Sequence, residues 1–107
     1  MERLTPAEEQ VMLKLWKLEK STIHEISALY EEPRPAYNTT STIVRILEKK
    51  KFIKHKSAGK GFVYLPRVSR DEYRVYLADY LLNNYFEGNR KEVISHFNKM
   101  SSLDDLL

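Results

Sequence analysis

The polar and apolar residues that follow Tyr37 separate clearly on a helical wheel of about 100° per residue. One side of the wheel collects amide, hydroxyl, guanidinium and ammonium groups, from Asn38, Ser41, Thr42, Arg45 and Lys49. The opposite side collects the residues that a core would take up, which are Thr40, Ile43, Val44 and Leu47. This pattern predicts an amphipathic helix over residues 38–50, with Asn38 as its N-cap and a solvated face of hydrogen-bonding groups.

Two short runs rich in β-prone residues follow this helix. They cover residues 52–56 and 62–66 and flank a turn that contains Gly59 and Gly61, as expected of a β-hairpin. Lysines occur along the first run and in the turn, at Lys54, Lys56 and Lys60. The sequence therefore predicts a basic hairpin directly after the amphipathic helix.

The starts of further helices are marked by capping boxes, in which a hydroxyl residue precedes a glutamate by three positions. Such pairs occur at Thr5–Glu8, Thr22–Glu25 and Ser69–Glu72, and Asn89–Glu92 has the same spacing. Pro33 and Pro35 indicate an extended connection before the amphipathic helix, because the residue before a proline is pushed out of helical geometry. Residues 102–107 have the composition of the first turn of one more helix.

These elements predict a mainly α protein with a small β-hairpin. A helix-turn-helix whose second helix runs into a basic hairpin is a winged helix, which we assign to residues 1–67. Residues 68–107 are expected to form a C-terminal helical dimerisation region.

The expectation of a dimer rests on the fourth predicted helix, which is apolar on two sides. Tyr76 and Tyr80 lie on one face, whereas Val75 and Phe86 lie nearly opposite. A helix of this kind must be buried on both sides, and a second copy of the chain is the economical partner. The residues expected in the dimer interface are Tyr73, Tyr76, Leu77, Tyr80, Leu81, Leu82, Phe86, Val93 and Phe97.

Positive charge is concentrated in the predicted helix and hairpin. Between residues 36 and 67, eight basic side chains and one acidic side chain give a net charge of +7, whereas the other ten basic and fourteen acidic residues give −4. A solvated charged surface is the ordinary explanation of a lysine run, but here the basic segment coincides with a DNA-sized polar face. The residues expected to contact DNA are Asn38, Thr39, Ser41, Thr42, Arg45, Lys49, Lys54, Lys56 and Lys60.

Other classes of protein receive little support from the composition. The chain has no cysteine, which excludes disulfides and thiolate metal sites, and no apolar run long enough to span a bilayer. Its first residues lack the apolar stretch of a signal peptide, so we expect a cytoplasmic protein. The histidines His24, His55 and His96 lie far apart in different elements. We expect no metal, no cofactor and no enzymatic activity.

Several motifs resemble the penicillinase repressors, the winged-helix regulators of the BlaI/MecI/CopY type, over nearly the whole chain. The resemblance is carried by LTPAE at 4–8 with Val11-Met12 and Leu15-Trp16, by Thr39, Thr42 and LEKK at 47–50, and by FVYLP at 62–66 with VSRDEY at 68–73. It implies a winged-helix repressor with C-terminal dimerisation helices. Two positions depart from the family pattern, because Ile46 stands where arginine is usual and Lys51 where glycine is usual. Arg45 is positioned to compensate for the missing arginine.

The resemblance also implies a mode of regulation. Copper-responsive members carry C-terminal cysteines, which this chain lacks, so the resemblance points to the branch in which a membrane sensor metallopeptidase triggers cleavage of the repressor. The bond aligned with the cleavage site is His96–Phe97, although asparagine is usual before the phenylalanine.

The leading functional hypothesis is therefore a homodimeric transcriptional repressor on a pseudo-palindromic double-stranded operator, relieved by proteolysis. The alternative is a winged-helix protein–protein interaction module that does not bind DNA. The basic segment distinguishes the two, since an interaction module has no need of +7 within 32 residues.

Overall fold

The computed structural model describes residues 1–106, with side chains described through Met100. The elements are α1 (Pro6–Leu18), α2 (Ile23–Ala28), α3 (Tyr37–Lys49), β1 (Ile53–Ala58), β2 (Gly61–Pro66), α4 (Arg70–Tyr85) and α5 (Arg90–Leu106). They form two compact units, Met1–Glu72 and the residues from Tyr73 onward. Across residues 1–106, no helix is both long and apolar enough to cross a membrane. The expected mainly α protein with one β-hairpin is confirmed.

The predicted capping boxes fix the starts of α1, α2 and α4. The Thr5 hydroxyl accepts a hydrogen bond from the Glu8 N–H, and the Glu8 carboxylate accepts one from the Thr5 N–H at 2.8 Å. Thr22 and Glu25 repeat this exchange before α2, as do Ser69 and Glu72 before α4. Each box satisfies backbone donors that a helix start leaves without partners.

The core of the first unit lies where α1, α2 and α3 meet the hairpin. Val11, Met12 and Leu15 are fully buried along α1, and Val44 and Leu47 are fully buried on α3. α3 packs against α1, α2 and β1. The orientation of α3, and therefore of its solvated face, is set by this three-sided packing.

The hairpin, which we call the wing (β1, β2 and their turn), is tied to the core at two points. Its antiparallel strands pair from Ile53 with Pro66 to Ala58 with Gly61. Ser21, just before α2, exchanges two backbone hydrogen bonds with Tyr64 of β2, at 2.7 and 3.0 Å. Trp16 of α1 donates its ring N–H to the Val68 carbonyl beyond β2 at 2.9 Å. The base of the wing is therefore held on both sides.

The start of α3 differs from the prediction. Asn38 is not the N-cap; the helix begins at Tyr37, and the capping residue is Ala36, whose side chain makes no cap hydrogen bond. The end of α3 is also unusual, because Lys51 adopts a left-handed backbone conformation with φ of 69°. Glycine takes that conformation with less steric strain, which gives a physical reason for the glycine usual at this position in the family that the sequence resembles.

The expectation of a separate helix over residues 102–107 is wrong over the described residues. α5 continues without a break from Arg90 to Leu106. The composition of a first helical turn is equally acceptable within a continuing helix, so the sequence pattern could not separate the two cases.

A partly buried ion pair joins the start of α1 to the end of α3. The Lys50 ammonium lies 2.8 Å from a Glu8 carboxylate oxygen and 3.9 Å from Glu2. Glu8 is only 5% exposed. Burial raises the pKa of Glu8, but hydrogen bonds from Lys50 and Thr5 outweigh this effect and leave that pKa below its usual value of 4.5. The pair fixes the end of α3 against α1.

We predict that Glu8→Gln lowers the free energy of unfolding by about 1–3 kcal/mol at neutral pH, because it leaves the Lys50 ammonium without its charged partner. Glu9→Gln removes the same charge one residue away and should change stability by less than about 0.5 kcal/mol. Urea denaturation of the three proteins measures both effects.

The stability difference between wild type and Glu8→Gln should also depend on pH, and the lowered pKa of Glu8 fixes the direction of that dependence. Because the pKa of Glu8 is lowered in the folded state, the stabilisation is present above the usual value of 4.5 and is lost as the pH falls through the folded-state pKa. The difference between wild type and Glu8→Gln should therefore narrow below about pH 4.5. A stability difference that stays constant or widens as the pH falls would contradict the lowered pKa of Glu8 in the folded protein.

The uncapped start of α3 yields a second prediction. Ala36 has the extended backbone of an N-cap but no side-chain oxygen, so Ala36→Ser should raise the free energy of unfolding by about 1 kcal/mol. Ala36→Val also lacks an oxygen and should give no gain. An Ala36→Ser protein that is no more stable than Ala36→Val would show that the backbone N–H groups in the first turn of α3 already have hydrogen-bond partners.

Candidate nucleic-acid interface

The solvated face of α3 is narrower than the sequence predicted. Most of the expected contact residues on this helix are exposed, namely Asn38, Thr39, Thr42, Arg45 and Lys49. The sequence places Ser41 on that face, but the residue is only 6% exposed, so this expectation is wrong. Because α3 is packed on three sides, its buried arc is wider than a division into polar and apolar residues suggests. Ser41 lies in this extra part of the buried arc.

Arg45 lies in a charged environment at the foot of the wing. Burial raises the pKa of the Tyr64 hydroxyl, and the Glu48 carboxylate raises it further, whereas the Arg45 guanidinium acts in the opposite direction. These opposing influences on the pKa of Tyr64 indicate that Arg45 and Glu48 of α3 lie near β2. The exposed Arg45 guanidinium therefore belongs to the part of the solvated face of α3 that adjoins the wing.

The lysines of the wing do not form a single group. Side chains alternate along a strand, so Lys54 and Lys56 share one face of β1 while Ile53 and His55 occupy the other. The second face is the one turned towards α3, because His55 on this face contacts Glu48 of α3. Lys60 lies in the turn, beside Gly59, whose φ of 61° suits glycine. All three lysines are exposed.

Two charged residues in the basic segment are already engaged within the protein. Lys50 pairs with Glu8 and therefore belongs to the core rather than to the solvated face. The Glu48 carboxylate contacts Nδ1 of His55 and so connects the end of α3 to β1. Because Lys50 is already paired, the net charge of +7 counted over residues 36–67 overstates the number of cations available to bind a ligand. The exposed cations that remain on α3 and the wing include Arg45, Lys49, Lys54, Lys56 and Lys60.

An aromatic pair that the sequence did not indicate borders the start of α3. The rings of His24 and Tyr37 stack with centroids 4.4 Å apart and an angle of 28°. They line an open cleft of about 290 Å³ together with Phe62 and Tyr64 of β2. His24 and Tyr37 are thirteen positions apart in different helices, so only the fold brings them together. The cleft extends the solvated surface from α3 to the wing.

The second unit has little core of its own. Within its described side chains, 73–100, Tyr73 alone is buried, at 2% exposure. The other expected interface residues are half-buried or exposed, namely Tyr76, Leu77, Tyr80, Leu81, Leu82, Phe86, Val93 and Phe97. An open apolar groove of about 460 Å³ runs between α4 and α5, lined by Leu81, Tyr85, Phe86, His96, Phe97 and Met100. An apolar surface of this extent is available for a partner.

The His96–Phe97 bond lies well inside α5, a helix of 17 residues. The His96 ring packs edge-on against Phe86 of α4, with centroids 5.6 Å apart, and Phe97 is 50% exposed. A protease binds its substrate in an extended conformation, so this bond becomes accessible only when α5 opens locally. Among the described residues, no group of three His, Asp or Glu side chains is arranged to hold a metal ion.

Comparisons with known proteins agree with this geometry. The chain is similar to the solution structure of Bacillus licheniformis BlaI, in its monomeric form in complex with the blaP half-operator. The TM-score is 0.57 and the identity 26%, over 67% of this chain and 89% of that chain. The comparison with curated proteins finds no significant match. The pattern of the penicillinase repressor family matches residues 4–106, and the chain therefore belongs to that family of winged-helix, DNA-binding repressors.

Proposed function

We propose that this protein represses transcription as a homodimer, with each protomer holding one half of a pseudo-palindromic operator in double-stranded DNA. The observation that carries the proposal is the solvated face of α3, which presents Arg45 and Lys49 beside a basic wing. Support also comes from the BlaI structure, in which a monomeric form is in complex with a half-operator. A symmetric dimer would place two such faces on two half-sites.

The side chains of the interface divide into two chemical roles. Asn38, Thr39 and Arg45 carry groups that can hydrogen-bond to base edges in the major groove. Lys54, Lys56 and Lys60 are compact cations on the wing and are suited to phosphates, which hold the protein on DNA without reading its sequence. Lys49, the last residue of α3, is grouped with the phosphate contacts because its side chain ends in a compact cation like those of the wing. Sequence preference should therefore depend on α3 and general affinity on the wing.

We predict that Arg45→Ala weakens binding to the operator by about 1–3 kcal/mol but changes binding to random DNA much less. Lys60→Ala, in the turn of the wing, should weaken both by a similar factor and serves as the matched control. Fluorescence anisotropy on a duplex selected by the wild type and on a scrambled duplex measures the two effects. Equal losses on both duplexes for Arg45→Ala would contradict a role in reading bases.

The proposal of a homodimer rests on the second unit. Its apolar side chains remain solvated in a single chain, including Tyr85 at 70% exposure and Ile94 at 61%. Burying such groups stabilises a protein by roughly 25 cal/mol for each Å² removed from water. A second copy would present the same helices and groove, so one symmetric contact could cover both surfaces.

We predict that Phe97→Glu converts the dimer to a monomer, because it places a charge in the groove between α4 and α5. Lys91→Glu adds the same charged side chain at an exposed position in the first turn of α5 and should leave the dimer intact. Analytical ultracentrifugation distinguishes the two states. A Phe97→Glu protein that still sediments as a dimer would place the interface elsewhere.

We further propose that repression is relieved by cleavage at His96–Phe97, triggered by a membrane sensor metallopeptidase system. Two DNA-binding units that are tethered as a dimer engage the second half-site at a high effective concentration. Cutting α5 removes Phe97 and Met100 from the groove and weakens that tether. The DNA-binding unit itself is untouched by the cut, so only the cooperation between half-sites is lost.

We predict that a chain ending at His96 binds the full operator at least about a hundredfold more weakly than the intact chain, while its affinity for a half-site is unchanged. A chain ending at Met100 retains Phe97 and is the matched control. Binding measurements on full and half operators, together with the mass of each protein, test this mechanism. Undiminished binding by the shortened chain would exclude cleavage there as the switch.

A further inference from the structure

The centre of the solvated face of α3 is less polar than its sequence suggests. Thr42 lies in the middle of the exposed arc, which extends from Arg45 on one side to Thr39 on the other. Its hydroxyl donates a hydrogen bond to the Asn38 carbonyl one turn back, at 2.8 Å. A hydroxyl has one proton to donate, and here that proton is used on the backbone, so the Thr42 hydroxyl can only accept a hydrogen bond from a ligand. The other group that Thr42 presents on this face is its methyl group.

Ile46 extends this apolar centre by one helical turn. It follows Thr42 by four positions and is therefore its neighbour on the helix surface. Its side chain is 42% exposed, in contrast to the buried Val44 and Leu47 on the core side of α3. Arg45 and Lys49 lie along one side of these two residues, and Thr39 lies along the other. Thr42 and Ile46 thus form an apolar strip within a polar surface.

An apolar strip at this position has one complementary group among the base edges of the major groove. The C5-methyl of thymine is the apolar group that a base pair displays in the major groove, and threonine methyl groups are among its usual partners. An isoleucine side chain cannot hydrogen-bond to a base edge or to a phosphate, so it gains free energy by leaving water against an apolar group, and the thymine methyl is the apolar group that the base edges display. Cytosine carries hydrogen at the equivalent position and would leave the strip without a partner.

We infer that Thr42 and Ile46 determine part of the sequence specificity by contacting a thymine methyl group in each half-site. The inference rests on the proposed function, because it assumes that α3 enters the major groove. It adds the identity of a base and the chemical group by which that base is recognised. Arg45 and the wing then supply the polar and electrostatic part of the contact.

The test begins with selection of a duplex from a random pool by the full-length wild-type protein. The selected duplex is then synthesised in two forms, one with thymine and one with deoxyuridine, which differ only in the C5-methyl groups. We expect the wild type to bind the deoxyuridine form about three- to fivefold more weakly for each methyl contact, the factor expected for one buried carbon. Ile46→Ala should bind the thymine form more weakly and lose much of this discrimination.

Two substitutions at Thr42 provide a matched pair of controls. Thr42→Val retains a methyl group and removes the hydroxyl, whereas Thr42→Ser retains the hydroxyl and removes the methyl group. We expect the valine variant to distinguish thymine from deoxyuridine as the wild type does and the serine variant to distinguish them less. The site is exposed, so both proteins should fold, and circular dichroism confirms this.

The outcomes separate this inference from the proposed function. Enrichment of no sequence would overturn both. Enrichment of a sequence that wild type and Ile46→Ala bind equally well with thymine or deoxyuridine would overturn methyl recognition alone and leave the repressor assignment in place. An equal thymine preference in Thr42→Ser and Thr42→Val would remove Thr42 from the contact.

Discussion

The placement of α3 depends on its burial against α1, with the Glu8–Lys50 ion pair holding its far end. Val44 and Leu47 of α3 are fully buried, as are Met12 and Leu15 of α1, and α3 packs against α1. A rotation of α3 about its axis would therefore expose apolar side chains to water. The ion pair adds a directional contact at the last turn. Every proposed contact with DNA relies on this arrangement, because the core fixes which residues of α3 remain in solvent.

The same packing determines which charged side chains make contacts within the fold and which remain exposed to a ligand. Lys50 stabilises the core through Glu8, and Glu48 connects α3 to the wing through His55. The exposed arc is left with Arg45 and Lys49 and an apolar centre at Thr42 and Ile46. A surface of this kind can combine electrostatic attraction to phosphates with a preference for particular bases. The solvated apolar groove between α4 and α5 is the surface that we propose for assembly of the dimer.

The features that the sequence predicted correctly are local. Capping boxes bind residues only three positions apart, so Thr5–Glu8, Thr22–Glu25 and Ser69–Glu72 could be recognised from spacing alone. The features that it missed depend on tertiary contacts. Ser41 is buried because α3 packs on three sides, and His24 meets Tyr37 only in the folded chain. The residue type of Asn38 predicts an N-cap, whereas α3 begins one residue earlier and uses Ala36, a residue without capping chemistry.

The claim that α3 and the wing bind DNA is tested most directly by the dependence of affinity on salt. The affinity of the intact protein for its selected duplex would be measured by fluorescence anisotropy between about 50 and 300 mM salt. Each phosphate contact contributes about −0.9 to the slope of log affinity against log salt, so about six contacts in a dimer give a slope near −5. We expect that slope for the wild type and a much shallower one when Lys54, Lys56 and Lys60 are replaced together by glutamine. A wild-type affinity that hardly changes with salt would contradict DNA binding through this basic surface.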